Sequence, residues 1–344
     1  MVFRTSSFEV AAAETINFNR VKVGGGVDIN ISTGGGRVDI FGGSQIGGTT
    51  KIVSSSGSDV VFLRQFSQFG GDVYVNTGKG TGQINFQGAV IAASNVWLET
   101  GNGNGNLVNV AYRAGILGDL TIVHGAGTSL AQVHETVNVG NDVLIRGGAQ
   151  SNQVDVFGDV EIARNLLVQT LAGSDIVNLG GDTLIRGNAT VLSGDETGLG
   201  DTITVDTGLF GMGPGFTVSG NYSVDSGAGD DTISHFGATG AESIIAGNAS
   251  VVSGSGMDNV IIEFVDVRFN ANVDLGEGMD FLGVNECWFR EATSASLGGG
   301  DDAADINNSL FSGPVTINGG TGTDAVTQNG NVFTFGAPVI FNVP

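Results

Sequence analysis

Residues 276–289 read GEGMDFLGVNECWF, residues 298–311 read GGGDDAADINNSLF, and residues 320–333 read GTGTDAVTQNGNVF. Laid under one another without a gap, each stretch begins 22 residues after the last. Gly276, Gly298 and Gly320 fall in one column, and Gly278, Gly300 and Gly322 in another. Asp280, Asp302 and Asp324 form a third column, Asn285, Asn307 and Asn329 a fourth, and Phe289, Phe311 and Phe333 a fifth. One period earlier, Gly254, Gly256 and Asp258 keep the same spacing. Toward the N-terminus the unit drifts but persists. Val73/Val75 recur as Val96/Leu98, Leu120/Ile122, Val143/Ile145, Leu166/Val168 and Ala189/Val191, at steps of 23 or 24 residues. Tyr222/Val224 and Ala249/Val251 follow after longer coils, one of which holds a Gly-rich insertion around residues 209–216. Residues 29–34 (INISTG) still fit the pattern.

Short apolar alternations place every second side chain on one face of a strand. Two or three such strands per period, separated by Gly, Asn and Asp, leave no room for a crossover helix. Stacking the periods pairs each strand with its equivalents before and after and buries the inward column. The expected fold is therefore all-β: a parallel β-helix of 22–24 residues per coil, right-handed by the usual crossover chirality. A string of β-sandwich hairpins is the alternative, but it does not demand identical residues at a constant offset. Residues 1–344 read as a single solenoid domain. Residues 1–26 are a candidate N-terminal cap, with SFEVAAAE (7–14) as a short helix. Residues 339–344 read as a terminal strand that lacks a cap.

The columns suggest roles. Leu282, Ala304 and Val326, with Val284 and Ile306, should point inward, and the Phe column should stack as an aromatic ladder. Gln328 is the polar exception. Asn285, Asn307 and Asn329 suit left-handed turn positions with amides bonding along the stack. Pro314 and Pro338 stand where a strand can begin without losing a needed donor.

Composition narrows the function. With 59 glycines, 4 prolines and no Gly-X-Y period, the chain is not collagen, and 40% hydrophobic residues is too many for disorder. No apolar run reaches a membrane span, and no basic-then-apolar leader opens the chain. The 35 acidic and 13 basic residues leave a net charge of -22, which argues against nucleic acid and other polyanions as partners. The lone Cys287 excludes an internal disulfide and reads as a small buried side chain.

The glycine-aspartate turns are the most specific feature. Residues 319–326 (GGTGTDAV) resemble the nonapeptide G-G-x-G-x-D-x-U-x of haemolysin-type calcium-binding (RTX) repeats. Residues 227–233, 254–260, 276–282 and 298–304 are similar. The likeness covers short stretches between 227 and 328, with one nonapeptide per coil where the family runs them in tandem. It implies Ca2+ held between adjacent turns by Asp231, Asp258, Asp280, Asp302 and Asp324 together with Gly carbonyls. Physical chemistry supplies a separate reason: stacked carboxylates about 5 Å apart repel, and a hard cation relieves them. With no His/Cys cluster, calcium suits such oxygen donors better than zinc. The other reading is plain turn chemistry, with each Asp capping its own backbone.

The coil pattern also resembles pectate-lyase-like parallel β-helices, a fold that implies polysaccharide lyases and glycoside hydrolases among its users. Asp230-Asp231 and Asp301-Asp302 are adjacent carboxylates, but Arg146, Arg164 and Arg186 occupy different places in their coils and make no basic cleft. The expected function is an extracellular or cell-surface structural or adhesive scaffold, calcium-stabilised. Its expected partners are other copies or flanking domains at the C-terminal end, and a surface polysaccharide or protein. The alternative is a carbohydrate-active enzyme. A groove lined by aromatic and acidic groups at one level would favour the enzyme, and a uniform surface the scaffold. Three sequons, at Asn188, Asn221 and Asn248, start equivalent strands, so the repeat itself explains them.

Overall fold

The computed structural model describes residues 2–3, 6–10, 14–32, 34–194, 200–206 and 215–343. It is an all-β parallel solenoid of about 14 coils, and no helix occurs among the described residues. The coils group into two compact units, Met1–Asn165 and Leu166–Pro344.

Each coil is built from three strands. One turn of the first unit runs through a short strand, Gln68–Phe69, a middle strand, Val73–Asn76, and a long strand, Gly82–Gln87. The next short strand, Ile91–Ala92, opens the following turn. Side chains of the middle strands alternate between buried and half-buried, as Val73–Asn76 does, because one face lines the core and the other faces solvent. Among the described residues the strands pair in parallel, and the step between partners is the sequence period: Val73, Val96, Leu120 and Val143 follow one another in register. In the second unit, Ala189, Tyr222, Ala249, Ala271, Thr293 and Val315 do the same. Such inward Val, Ile and Leu side chains are 0–2% exposed over most of the first unit, each contributing about 1.5–3 kcal/mol of burial.

The Phe column stacks inside the second unit as expected. Phe289 and Phe311 lie 5.0 Å apart at 12°, and Phe311 and Phe333 5.1 Å apart at 12°. Leu282, Val284, Ala304 and Ile306 are buried beside them, while Gln328 is exposed on the last coil. Pro314 and Pro338 do precede strands, Val315–Asn318 and Val339–Phe341.

Two local expectations are corrected. Asn285, Asn307 and Asn329 are not the left-handed residues but the last residues of long strands, paired in register. The left-handed positions fall one residue later, at Glu286 (φ 53°), Asn308 (φ 51°) and Gly330 (φ 70°), because the strand alternation carries through the Asn before the chain turns. The only amide contact of that column runs from Asn308 Nδ2 to Asn285 Oδ1 (3.2 Å) among the described residues. Residues 7–10, expected to open a capping helix, lie instead in a strand, Ser6–Val10, in register with Val27–Ile31. Its partner's edge offers backbone bonds that a helix could not satisfy. Residues 11–13 of that expected helix, most of the 209–216 insertion, Thr33 and Pro344 lie outside the described residues. Among the described residues no helix is long and apolar enough to cross a membrane.

Candidate functional site

The Gly-x-Gly-x-Asp stretches form the corner between middle and long strands in the second unit. The residue between the glycines pairs with its equivalent in the next coil: Ser255 with Glu277, Glu277 with Gly299, and Gly299 with Thr321. Thr321 N–H donates to the Gly298 carbonyl (2.9 Å) and Gly300 N–H to the Thr321 carbonyl (2.8 Å), so this corner is itself a hydrogen-bonded ladder. Gly300 illustrates why glycine is needed. Its φ is 134°, and a Cβ there would collide with the Gly278 carbonyl oxygen one coil back.

Asp231, Asp258, Asp280, Asp302 and Asp324 follow these glycines, and the structure brings all five into one buried file, each 1–5% exposed. Oδ1 of each aspartate accepts the backbone N–H of the aspartate one coil earlier. The distances are 2.8 Å for Asp231 to Asp258, Asp258 to Asp280 and Asp280 to Asp302, and 3.1 Å for Asp302 to Asp324. Each therefore caps its neighbouring coil rather than its own backbone. The second oxygen, Oδ2, is buried in all five with no hydrogen-bond partner. Burial pushes Asp280 up to about 7 and Asp231 up to about 6, and it raises Asp258 and Asp302 as well. Neighbouring carboxylates add to the rise. The Ser226 and Ser253 hydroxyls sit beside Asp231 and Asp258 and offset part of it. Their single protons are directed, however, to the Ser253 and Leu275 carbonyls (3.0 and 2.8 Å).

The same position in the coils of the first unit shows what these oxygens lack. Asn106 Oδ1 accepts the Gly82 N–H (2.8 Å), while its Nδ2 donates to the carbonyls of Gly101 (2.7 Å) and Gly103 (2.6 Å). Asn152 Nδ2 likewise donates to Gly148 and Gln150 carbonyls. Asp59 keeps Oδ1 on the Gly36 N–H (2.8 Å) and satisfies Oδ2 with the Ser54 hydroxyl (2.7 Å). Where Asp replaces Asn, the group that donated to the corner carbonyls becomes an acceptor. A buried acceptor among acceptors requires a proton or a cation. The donors are all oxygen and the file is anionic, which fits a hard cation such as Ca2+. Each coil contributes one unpaired carboxylate oxygen, and no three acidic, His or Cys side chains converge on a single point among the described residues.

Sequence reasoning missed two members of the file. Asp201 Oδ1 accepts the Asp175 N–H (2.7 Å), and Asp231 Oδ1 the Asp201 N–H (2.6 Å). Their steps of 26 and 30 residues hid them, although both follow a Gly or Gly-Ser.

The surface of the second unit is not uniform. A groove of about 510 Å³ crosses the outer face of its short strands, lined by Glu242, Phe264, Asp266, Glu286, Trp288 and Leu310 among others. Asp266, Trp288 and Leu310 stand one per coil in register. Periodicity marked the inward Phe column but not this outward one, whose residue types change at every coil. By contrast, Asn188, Asn221 and Asn248 form a structural file: Asn188 Oδ1 accepts Asn221 N–H (2.8 Å), and Asn221 Oδ1 accepts Asn248 N–H (2.9 Å). His124 and His235 are buried and held neutral, pushed down by desolvation to about 4 and about 3. Burial pushes the Cys287 thiol up to about 12, which makes it inert.

No protein family, curated protein or solved structure matches the chain.

Proposed function

We propose that this chain is a structural and adhesive scaffold, displayed outside the cell, whose aspartate file is stabilised by calcium at neutral pH. The observation that supports the reading is the row of buried Oδ2 atoms, one per coil, which lack the donor that Asn106 and Asn152 supply at the same position. Asp231, Asp258, Asp280, Asp302 and Asp324 would hold the ion with corner carbonyls, and its charge would neutralise the file. The resemblance to calcium-binding RTX turns points the same way. A cation bound only by the folded chain raises its melting temperature through mass action. Melting at pH 8 in millimolar calcium and in chelator is the direct test. A clear rise with calcium supports the reading, and identical melts end it. Copies or flanking segments would cover the last coil, where Phe335, Val339, Ile340 and Phe341 are exposed.

A second reading, a carbohydrate-active enzyme, is favoured by the groove, since it gathers carboxylates from three successive coils around an indole. Incubation with a panel of polysaccharides, read as new reducing ends or unsaturated products, tests it. An inert protein leaves the scaffold reading alone.

A further inference from the structure

We propose that the groove over Asp266, Trp288 and Leu310 binds a glycan chain bearing protonated amino groups. The inference deepens the adhesive reading and rests on it for its setting.

The groove is preorganised. Arg290 binds Asp266 through both Nε and Nη2 at 2.8 Å, and its guanidinium lies 3.8 Å from the Trp288 ring centroid. Trp288 Nε1 also faces Ser312 Oγ at 3.4 Å, so the indole is held from two sides while the residue stays 41% exposed. An exposed indole fixed in this way costs little to order on binding, and the indole surface that the guanidinium leaves uncovered matches the C–H face of a pyranose ring. The floor residues repeat once per coil, at about 4.8 Å. An extended chain of pyranose rings advances by nearly the same step per ring. That correspondence favours a glycan over an extended peptide, which advances only about 3.3 Å per residue.

Charge selects the kind of glycan. Arg290 and Arg268 are both engaged by Asp266, at 2.8 and 3.5 Å. Glu242 and Glu286, which also line the groove, are exposed and form no ion pair among the described residues. They stand two coils apart, with Phe264 between them. With a net charge of -22, the chain repels a uronate polymer and attracts a polycation. A neutral sugar could donate hydroxyls to these carboxylates, but only a protonated amine also neutralises their charge.

The chain has two tryptophans, so a Trp97→Phe variant leaves Trp288 as the reporter inside the groove. At about pH 6, where the sugar amines are protonated and the glutamates ionised, its fluorescence would be titrated with a glucosamine hexamer, its N-acetylated counterpart, a galacturonate hexamer and a lysine hexapeptide. Calorimetry on the unaltered chain would provide the parallel measurement. The expected result is saturable binding of the glucosamine hexamer that weakens with salt and exceeds the N-acetylated form by about tenfold or more. Glu286→Gln and Glu242→Gln should each weaken it several-fold while leaving the melting temperature unchanged. Equal or tighter binding of the N-acetylated, uronate or lysine probe overturns the proposal, as does insensitivity to both Gln variants. Calcium-dependent melting is read separately, so the scaffold reading and this one can fail independently.

Discussion

Asp280→Asn should stabilise the protein, and by more at pH 8 than at pH 5. The aspartate is 3% exposed, its Oδ1 accepts the Asp258 N–H at 2.8 Å, and its Oδ2 has no donor. Its pKa rises from 3.8 to about 7 on folding, chiefly through desolvation. Below pH 3.8 the group is protonated in both states and costs nothing. As pH rises, the unfolded chain loses the proton while the folded chain keeps it, so stability falls across the window between 3.8 and about 7 and then levels off. A shift of roughly three units sets a ceiling of about 4 kcal/mol. Relaxation and water entry reduce that, and about 1–2 kcal/mol is the expected loss at this site. Asn keeps the acceptor and adds a donor, as Asn152 does toward Gly148 and Gln150. Urea unfolding at pH 5 and pH 8 in chelator is the assay. Glu277→Gln, which removes one exposed charge at the same corner, is the control for general charge repulsion. The reasoning is refuted if Asp280→Asn gains no more over the unaltered protein at pH 8 than at pH 5, or gains no more at pH 8 than Glu277→Gln does; the buried His124 and His235 add a rise with pH of their own that all three proteins share. Millimolar calcium should restore much of the loss at pH 8 in the unaltered protein and less in the variant.

Phe311→Ala should cost about 3–5 kcal/mol in denaturant titrations, because the ring is 2% exposed between two stacked neighbours; a loss below about 1 kcal/mol would refute its place in the core. The last coil leaves Phe335 71%, Val339 61% and Phe341 44% exposed, so light scattering should report association that Ile340→Lys with Phe341→Lys reduces. A monomer at every concentration would refute that expectation.

The solenoid was legible from the chain alone because a stacked coil converts sequence offset directly into spatial neighbourhood. Phe289, Phe311 and Phe333, at a constant 22-residue step, touch because nothing but one turn of the stack separates them. The same logic placed the five aspartates in one file and the paired strands in register. Their surroundings were not legible. Whether an aspartate at a glycine corner faces solvent or core depends on the path of the backbone through the left-handed glycines, which composition does not specify. Periodicity therefore placed the carboxylates, while only the folded corner decided that they are buried, cap the preceding coil and leave Oδ2 without a donor. Asp175 and Asp201 escaped notice because longer coils broke the step. The groove escaped notice because its lining changes residue type from coil to coil: Asp266, Trp288 and Leu310 share one register, and Phe264 separates Glu242 from Glu286. A repeat reveals what must recur to hold the stack, whereas side chains brought together once, on the outside, owe their meeting to tertiary structure alone.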